Sequence, residues 1–284
     1  MDSSTLKVVT LNLAHGRKDA WHQALLRRAA IQANLDEVVQ ILKQERPDVV
    51  ALQEADGPSI WSGRFHHVAY LSKKTGIPFF VLGEHVRRLK LSYGTALVSR
   101  QRLQEQASHR FRPSPPTLRK GMVVGTIRWP GTRPFSLDVV SVHLDFSRKS
   151  IRQRQARELI QRLAGRRRPL VLMGDFNCGY STKDPTLAIL ARELNLHPHE
   201  PEAADMVSFP RRNRRFDWIM VSADFRFLDY RTLPNVLSDH RAVVATLALA
   251  GQTGEEGRSG DDQGELAACI CDRIRRVYPG SDGC

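Results

Sequence analysis

The stretch PLVLMGDFN, residues 169–177, places a short apolar run directly before a polar turn. A short apolar run bounded by turn residues is typical of a buried strand. Gly, Asp and Asn are common turn formers, so GDFN alone fits a plain turn as well as a functional site. The stretch therefore predicts a buried strand that ends in two polar side chains, Asp175 and Asn177.

Similar short runs, many rich in β-branched residues, recur along the chain and alternate with helical patterns. The spacing of Ile31, Leu35 and Val38 is that of an amphipathic helix, which must end before Pro47. Many strands with few helices predict two packed sheets with helices outside. The further predicted strands lie at residues 6–13, 49–54, 93–99, 121–129, 135–144, 216–222 and 242–249, and further helices at 151–164 and 186–194.

Polar residues stand at the ends of strand after strand. Each of them alone has an ordinary interpretation, such as a turn cap, a solvated end residue or a partner of a nearby arginine. The repetition is harder to attribute to chance, because strand ends meet at one rim when the strands are neighbours in a sheet. The residues are Asn12, Glu54, His143, Asp145, Asp175, Asn177, Asp217, Asp239 and His240.

This set suits metal-assisted hydrolysis of a phosphate ester. Glu54, Asn12 and Asp239 offer hard oxygen ligands, which Mg²⁺ or Mn²⁺ prefers, whereas this set of strand-end residues holds too few His and Cys for a zinc site. A histidine with a carboxylate beside it is the usual proton-transfer group near neutral pH. His240 with Asp217 fits that description, and His143 offers a second donor for a phosphate oxygen or a leaving group.

In chain order the sequence shows TLNL (10–13), LQE (52–54), YGTALVS (93–99), VHLD (142–145), GDFN (174–177), FDWI (216–219) and SDH (238–240). This ordered set resembles the endonuclease/exonuclease/phosphatase superfamily of divalent-metal phosphoesterases, over residues 6–249. The superfamily includes DNase I, the exonuclease III-type repair nucleases, neutral sphingomyelinases and inositol polyphosphate 5-phosphatases. The resemblance implies a four-layer α/β/β/α sandwich with the site at one rim of the paired sheets.

The resemblance also implies a role for each site residue. Glu54 is expected to be the main metal ligand, with Asn12 beside it and Asp239 assisting. The remaining expected roles are catalytic. Asp175 and Asn177 are expected to orient the attacking water and hold a phosphate oxygen. Asp217 is expected to orient His240, which acts as a base or as a phosphate-binding imidazole, and His143 matches the histidine of DNase I-like and sphingomyelinase-like members.

Two departures from the family bear on the substrate. Repair endonucleases that cut at abasic sites carry an acidic residue where this chain has Ala14, and a tyrosine where it has His143. Both differences favour the DNase-like, sphingomyelinase-like and small bacterial branches over abasic-site repair.

Charge favours a polyanionic substrate. The net charge is +13 for 284 residues, and because residues 251–284 carry seven acids and four bases, residues 1–250 carry +16. Nucleic acid is the leading substrate, and a phospholipid or inositol-phosphate headgroup is the alternative, although no apolar membrane-insertion loop is obvious. A catalytically inactive phosphate-binding scaffold is a third hypothesis, disfavoured because Glu54 and His240 are both present. The arginines expected to bind substrate phosphates, or else only to solubilise a loop, are Arg211, Arg212, Arg214 and Arg215.

Composition divides the chain in two. Residues 1–250 are predicted to form the catalytic domain, and residues 251–284 a flexible, Gly-rich acidic tail in which 266–277 could form one or two helical turns. No apolar run is long enough to cross a bilayer, and the N-terminal residues lack the pattern of an export signal. These features predict a cytoplasmic protein, with no stable membrane insertion, that acts as a monomer.

Overall fold

The computed structural model describes residues 5–88, 90–130 and 135–250, so the predicted tail lies outside the described residues. The helices are α1 (Arg28–Glu45), α2 (His67–Thr75), α3 (Lys149–Leu163) and α4 (Thr186–Glu193). The strands are β1 (Thr5–Asn12), β2 (Val49–Asp56), β3 (Phe79–Arg88), β4 (Leu91–Ser99), β5 (Gln104–Arg110), β6 (Gly121–Arg128), β7 (Ser136–His143), β8 (Leu170–Asp175), β9 (Leu196–Pro198), β10 (Asp217–Ser222), β11 (Phe225–Thr232) and β12 (Val243–Leu249).

The strands form two six-stranded sheets, in the orders β11-β12-β1-β2-β4-β3 and β5-β6-β7-β8-β10-β9. Every predicted strand is present, with its ends within two residues of the prediction. The four strands that the sequence did not predict are β3, β5, β9 and β11, which are the four sheet edges. An edge strand pairs on one side only and tolerates polar residues, so it lacks the apolar run of a central strand. Helix α2, which ends in Lys73, Lys74 and Thr75, was also not predicted from the sequence.

Three apolar layers hold the sandwich together. The first lies between α1 and α2 and the first sheet, and contains Ile31 and Val68. The second lies between the sheets, where Val49 of the first sheet and Val139 of the second belong to one cluster. The third, which includes Leu159, lies between the second sheet and helices α3 and α4. The fold is thus the expected four-layer α/β/β/α sandwich.

Strand register brings the polar strand ends into line. Strands β7 and β8 are parallel, with His143 opposite Asp175, and β10 runs antiparallel to β8 with its first residue, Asp217, also opposite Asp175. These three side-chain positions form one row across the second sheet. In the first sheet, parallel β1 and β2 end side by side, with Asn12 opposite Gln53.

Gly174, the glycine of GDFN, allows β8 to pair closely with β7. Gly174 has φ +153°, and a Cβ atom there would lie 1.9 Å from the backbone oxygen of Val142 on the neighbouring strand β7. Only glycine allows so close an approach, which places Asp175 at the strand end. Among the described residues, no helix is long and apolar enough to span a membrane.

Candidate active site

The polar strand ends meet in a cleft of about 780 Å³. The cleft lies at the end of the sandwich where β1, β2, β7 and β8 finish. Of the twelve residues given a metal, catalytic or substrate-binding role from the sequence, nine line it: Asn12, Glu54, His143, Asp175, Asn177, Arg212, Arg214, Asp239 and His240.

Asp175 stands at the centre of the arrangement and is buried. Its Oδ2 accepts a hydrogen bond of 2.9 Å from Asn12 Nδ2, which connects the two sheets. The same oxygen lies 3.3 Å from His143 Nε2 and 3.7 Å from His240 Nε2. Burial, together with the neighbouring Asp217 carboxylate, raises the pKa of Asp175 to about 7, although His240 opposes the shift.

His240 is held by Asp217, which lies behind it in the buried wall of the cleft. His240 Nδ1 is 2.7 Å from Asp217 Oδ2. Burial alone would lower the pKa of His240, but the carboxylates of Asp217 and Asp175 outweigh it and raise the pKa to about 10. The imidazole is therefore a cation at neutral pH.

The loop before His240 is fixed to β1. Ser238 Oγ donates a hydrogen bond of 2.6 Å to the backbone oxygen of Asn12, and accepts one of 2.9 Å from the backbone N–H of His240. The SDH motif therefore supplies its imidazole from a loop anchored beside Asn12.

His143 remains neutral, unlike His240. Burial and the nearby Lys120 ammonium lower its pKa well below the usual range. Lys120 Nζ lies 3.4 Å from His143 Nδ1, so this nitrogen accepts and Nε2 carries the proton that faces Asp175. A neutral imidazole suits hydrogen bonding to a phosphate oxygen better than proton donation to a leaving group.

Glu54 projects from a β-bulge. The pairing of β2 with β4 shifts register between Leu52 and Ala55, and Glu54 has φ 47°, in the left-handed region. Its Oε1 lies 3.3 Å from Lys120 Nζ, and its Oε2 lies 3.5 Å from His15 Nε2. Burial raises the pKa of Glu54, but these two basic groups outweigh it and hold the pKa well below its usual range.

Asn177 and Asp239 complete the predicted set. Asn177 also has a left-handed backbone, with φ 54°, and its side chain donates a hydrogen bond of 3.0 Å to the backbone oxygen of Leu144. Asp239 is paired with Arg17, whose Nη2 lies 2.5 Å from Asp239 Oδ2. A cation near Asp239 thus shares that carboxylate with Arg17.

The donor atoms in the cleft fit a divalent cation. Asp217 Oδ1 is buried and has no hydrogen-bond partner among the described residues. The carboxylates of Asp175 and Asp217 lie in one buried group with His240, and Glu54 and Asp239 add two more carboxylates in the cleft lining. Carboxylate oxygens dominate the site, as hard divalent ions require.

Residues 9–240 match the family model of the endonuclease/exonuclease/phosphatase family. The chain belongs to the endonuclease/exonuclease/phosphatase family. Members of this family are generally phosphoesterase hydrolases and typically depend on a divalent metal. A search of curated protein sequences found no match.

Solved structures show the same DNase I-like fold. A family protein from Beutenbergia cavernae is 19% identical, with a TM-score of 0.69, over 87% of this chain and 72% of that one. The human Nocturnin catalytic domain with bound sulfate is 18% identical, with a TM-score of 0.65, over 88% and 95%. A humanized D. rerio TDP2 is 17% identical, with a TM-score of 0.60, over 86% and 99%.

The four arginines predicted to bind substrate in this family member have different surroundings. Arg212 and Arg214 are exposed and line the cleft. Arg211 is exposed and donates a hydrogen bond of 3.1 Å to the backbone oxygen of Asp19. Arg215 is the exception and corrects the prediction.

Arg215 is buried against the protein itself. Its guanidinium lies 3.7 Å from the Trp218 ring centroid, and donates hydrogen bonds of 3.0 and 2.9 Å to the backbone oxygens of His199 and Glu200. Arg215 as a whole is only 8% exposed, so almost none of its surface is open to a substrate phosphate. Its neighbours assign it a structural role.

A matched pair of variants tests this difference. Arg215→Ala is expected to lower the free energy of unfolding by about 3 kcal/mol, because it removes charged hydrogen bonds and a cation–π contact. Arg214→Ala is expected to leave stability within about 0.5 kcal/mol. Denaturant unfolding measures both. Equal stability of the two variants would contradict the structural role of Arg215.

Three residues of the site were not singled out from the sequence: Lys120, His15 and Asp56. Lys120 lies just before β6, where Gly121 pairs with His143. His15 follows β1 in the sequence AHG, and Asp56 lies two residues after Glu54. The available signals were a histidine just beyond TLNL and an acid just beyond LQE, but spacing alone does not bring them together.

Proposed function

We propose that this chain is a Mg²⁺- or Mn²⁺-dependent phosphodiesterase that cleaves nucleic acid in this cleft. The observation that carries the proposal is the surroundings of one atom, Asp175 Oδ2. Side chains from three other motifs approach it: Asn12 at 2.9 Å, His143 at 3.3 Å and His240 at 3.7 Å. This arrangement provides a proton acceptor beside two imidazoles that can contact a phosphate.

The roles follow from charge and protonation. Asp175, with a pKa of about 7, can take a proton from an attacking water near neutral pH, where a general base is most effective. His240 is an imidazolium that neutralises charge developing on the phosphoryl oxygens. His143 donates a hydrogen bond to a phosphate oxygen, and Asn177 helps to place the water.

Glu54, with Asn12 and Asp239, is proposed to hold the divalent ion. When bound, such an ion polarises the phosphoryl oxygens and stabilises the charge that grows as the ester bond breaks. The buried group of Asp175, Asp217 and His240 is a second place, among the described residues, where polar side-chain atoms lie close together. There the protonated imidazole of His240 has no lone pair to offer a metal ion, which favours Glu54 as the principal ligand.

Nucleic acid is favoured by the surface around the cleft. Arg212 and Arg214 line it, and the excess of positive charge belongs to residues 1–250. Phe146, also in the lining, is 62% exposed and can stack on a base. Contacts of arginine with phosphates make binding strongly dependent on salt.

A phospholipid headgroup is the second candidate substrate. The segment after β1 presents two exposed apolar side chains, Trp21 at 91% and Leu25 at 76%, although no apolar insertion loop is obvious in the sequence. Arg17 on the same segment donates to the backbone oxygen of Ala20 and pairs with Asp239 in the cleft. An exposed tryptophan beside basic residues is typical of membrane-surface contacts.

A substrate panel with Mg²⁺ or Mn²⁺ tests the proposal. The panel contains plasmid DNA, abasic duplex, RNA, bis-p-nitrophenyl phosphate, sphingomyelin vesicles and inositol phosphates. We expect cleavage of nucleic acid that excess EDTA abolishes and added Mg²⁺ or Mn²⁺ restores. Undiminished turnover in excess chelator would exclude the metal, and binding of nucleic acid without any hydrolysis would support the inactive scaffold.

The tail at residues 251–284 is proposed to be dispensable for catalysis. All the site residues precede residue 251, so truncation after Ala250 is expected to leave kcat and KM within about twofold of the full chain. Steady-state kinetics of the two proteins measure this. A large loss of activity would show that the tail contributes to the site. The cytoplasmic location and monomeric state predicted from the sequence stay proposals as well.

A further inference from the structure

A second histidine–carboxylate pair approaches Glu54 at the oxygen that Lys120 does not contact. His15 Nδ1 is 2.6 Å from Asp56 Oδ1, and His15 Nε2 is 3.5 Å from Glu54 Oε2. Asp56 is fully buried, and its other oxygen accepts a hydrogen bond of 2.9 Å from Trp61 Nε1. His15 thus bridges two carboxylates, one of which the proposed function makes a metal ligand.

The ring of His15 is also fixed by its packing. Its centroid lies 4.7 Å from that of Tyr93 in an edge-on contact and 5.1 Å from that of Trp61. Together with the bond to Asp56, these contacts leave Nε2 directed at Glu54. The imidazole is therefore held in one orientation independently of Glu54.

The backbone is strained on both sides of this contact. Ala14 and His15 have φ values of 45° and 58°, and Glu54 has φ 47°. Non-glycine residues in this region cost energy and persist only where the surroundings hold them. Left-handed backbone on both sides therefore brings the side chains of His15 and Glu54 to this contact.

We propose that the Asp56–His15 pair is a positioning device for Glu54, fixing the orientation of its carboxylate and thereby the affinity of the site for a divalent ion. The proposal rests on the proposed function in assigning Glu54 to the metal. Asp56 orients the imidazole, and Nε2–H holds Oε2. The carboxylate keeps lone pairs for a cation, since each oxygen can accept more than one partner. Partners that orient a metal ligand typically contribute 10–100-fold to metal affinity.

Two substitutions of His15 separate positioning from simple structural support. His15→Asn places an amide where Nδ1 was and tolerates a left-handed backbone, so it can still bond Asp56 but does not reach Glu54. His15→Gln places an amide nitrogen where Nε2 was and can still reach Glu54. We expect His15→Asn to weaken Mn²⁺ binding about tenfold, and His15→Gln to recover part of that loss.

The measurement is Mn²⁺ binding to the full chain without substrate, by calorimetry or by the electron paramagnetic resonance signal of unbound Mn²⁺. The activity assay is expected to show the same shift in the Mn²⁺ concentration for half-maximal rate, with kcat at saturating Mn²⁺ near that of the wild type. The matched control is His67→Asn, since His67 is another buried imidazole, 3.0 Å from the backbone oxygen of Ser62. This control is expected to bind Mn²⁺ like the wild type.

A further variant tests whether Asp56 acts through His15. Asp56→Asn is expected to weaken Mn²⁺ binding on its own, but to add little in the His15→Asn background, because the two residues form one chain of contacts. If the two substitutions instead weakened Mn²⁺ binding additively, Asp56 would not act through His15 and the proposal would be wrong.

The two proposals fail in different ways. If the wild type binds Mn²⁺, and Glu54→Gln abolishes that binding while folded His15→Asn binds as tightly as the wild type, the positioning role is wrong and the metal assignment stands. If Glu54→Gln binds Mn²⁺ as tightly as the wild type, the proposed metal site is wrong and the positioning role falls with it.

Discussion

Glu54→Gln is expected to lower kcat/KM by roughly 10³-fold and to raise the Mn²⁺ concentration needed for activity. The substitution removes the anionic charge that faces Lys120 and His15 at 3.3 and 3.5 Å, and with it the principal proposed ligand. A catalytic metal contributes several kcal/mol of charge stabilisation, and about 1.4 kcal/mol is worth tenfold in rate. Metal titrations of initial rate with bis-p-nitrophenyl phosphate and with plasmid DNA measure the effect.

The matched control is Glu45→Gln, which removes a carboxylate of a different ion-pair cluster. Glu45 lies 2.8 Å from Lys7 and 2.6 Å from Arg231, at the end of α1 and outside the cleft lining. Its loss is expected to change stability but to leave the metal titration unchanged. Equal metal titrations for wild type and Glu54→Gln would remove Glu54 from the site.

Stability in acid offers an independent measure of the surroundings of Glu54. Its pKa in the folded protein lies well below the usual value of 4.5. The ionised group therefore stabilises the fold above pH 4.5, and this contribution is lost as the pH falls toward the folded pKa. The Glu54→Gln variant is expected to lose less stability than the wild type below pH 4.5, by thermal denaturation.

The sequence predicted the central strands because they are buried on both faces. Strand β2, for example, is almost entirely buried and begins with four consecutive apolar residues, VVAL. Strand β5 has the sequence QEQASHR and is mostly exposed, so neither alternation nor apolar content distinguishes it from a loop. It forms because β6 beside it offers unpaired backbone groups. Edge strands are thus fixed by their neighbours.

The site was predictable where a motif and a strand end coincide, as at Asp175 and His143. It was not predictable where the backbone reverses locally. His15 reaches Glu54 only because consecutive residues after β1 adopt left-handed conformations. Arg214 and Arg215 are adjacent and chemically identical, yet one lines the cleft and the other stacks on Trp218. Successive side chains of an extended segment point to opposite sides, so two neighbouring arginines face different surroundings. Which of the two faces the cleft is decided by the fold.

His240→Ala is expected to lower kcat by about 10²–10³-fold, because it removes the cation that lies 3.7 Å from Asp175 and that we propose stabilises charge on the phosphoryl oxygens. The matched control, His197→Gln, changes a half-buried histidine of β9 that packs against Phe227, and is expected to keep full activity. Single-turnover kinetics on a nucleic-acid substrate measure the chemical step. Equal rates for wild type and folded His240→Ala would show that this imidazole takes no part in the reaction.

The pH dependence distinguishes an imidazolium from a base. His240 has a pKa of about 10 in the folded protein, above its usual 6.5, so its contribution to stability is complete below pH 6.5 and is lost as the pH rises through about 10. Activity is accordingly expected to rise as Asp175 ionises near pH 7 and to fall only as His240 loses its proton near pH 10. If His240 were instead the general base, activity would rise as that proton left.

Asp217→Asn tests the cause of the raised pKa. Asp217 Oδ2 lies 2.7 Å from His240 Nδ1, and its charge opposes the effect of burial on the imidazole. Without that charge, the pKa of His240 is expected to fall, so the alkaline limb of the pH–rate profile moves to lower pH and the rate at pH 8 drops. Because Asp217 acts through His240, the same substitution is expected to change the rate little in the His240→Ala background. An alkaline limb that stays in place in folded Asp217→Asn would mean that another group sets it, and the assignment of His240 as the cation of the site would be wrong.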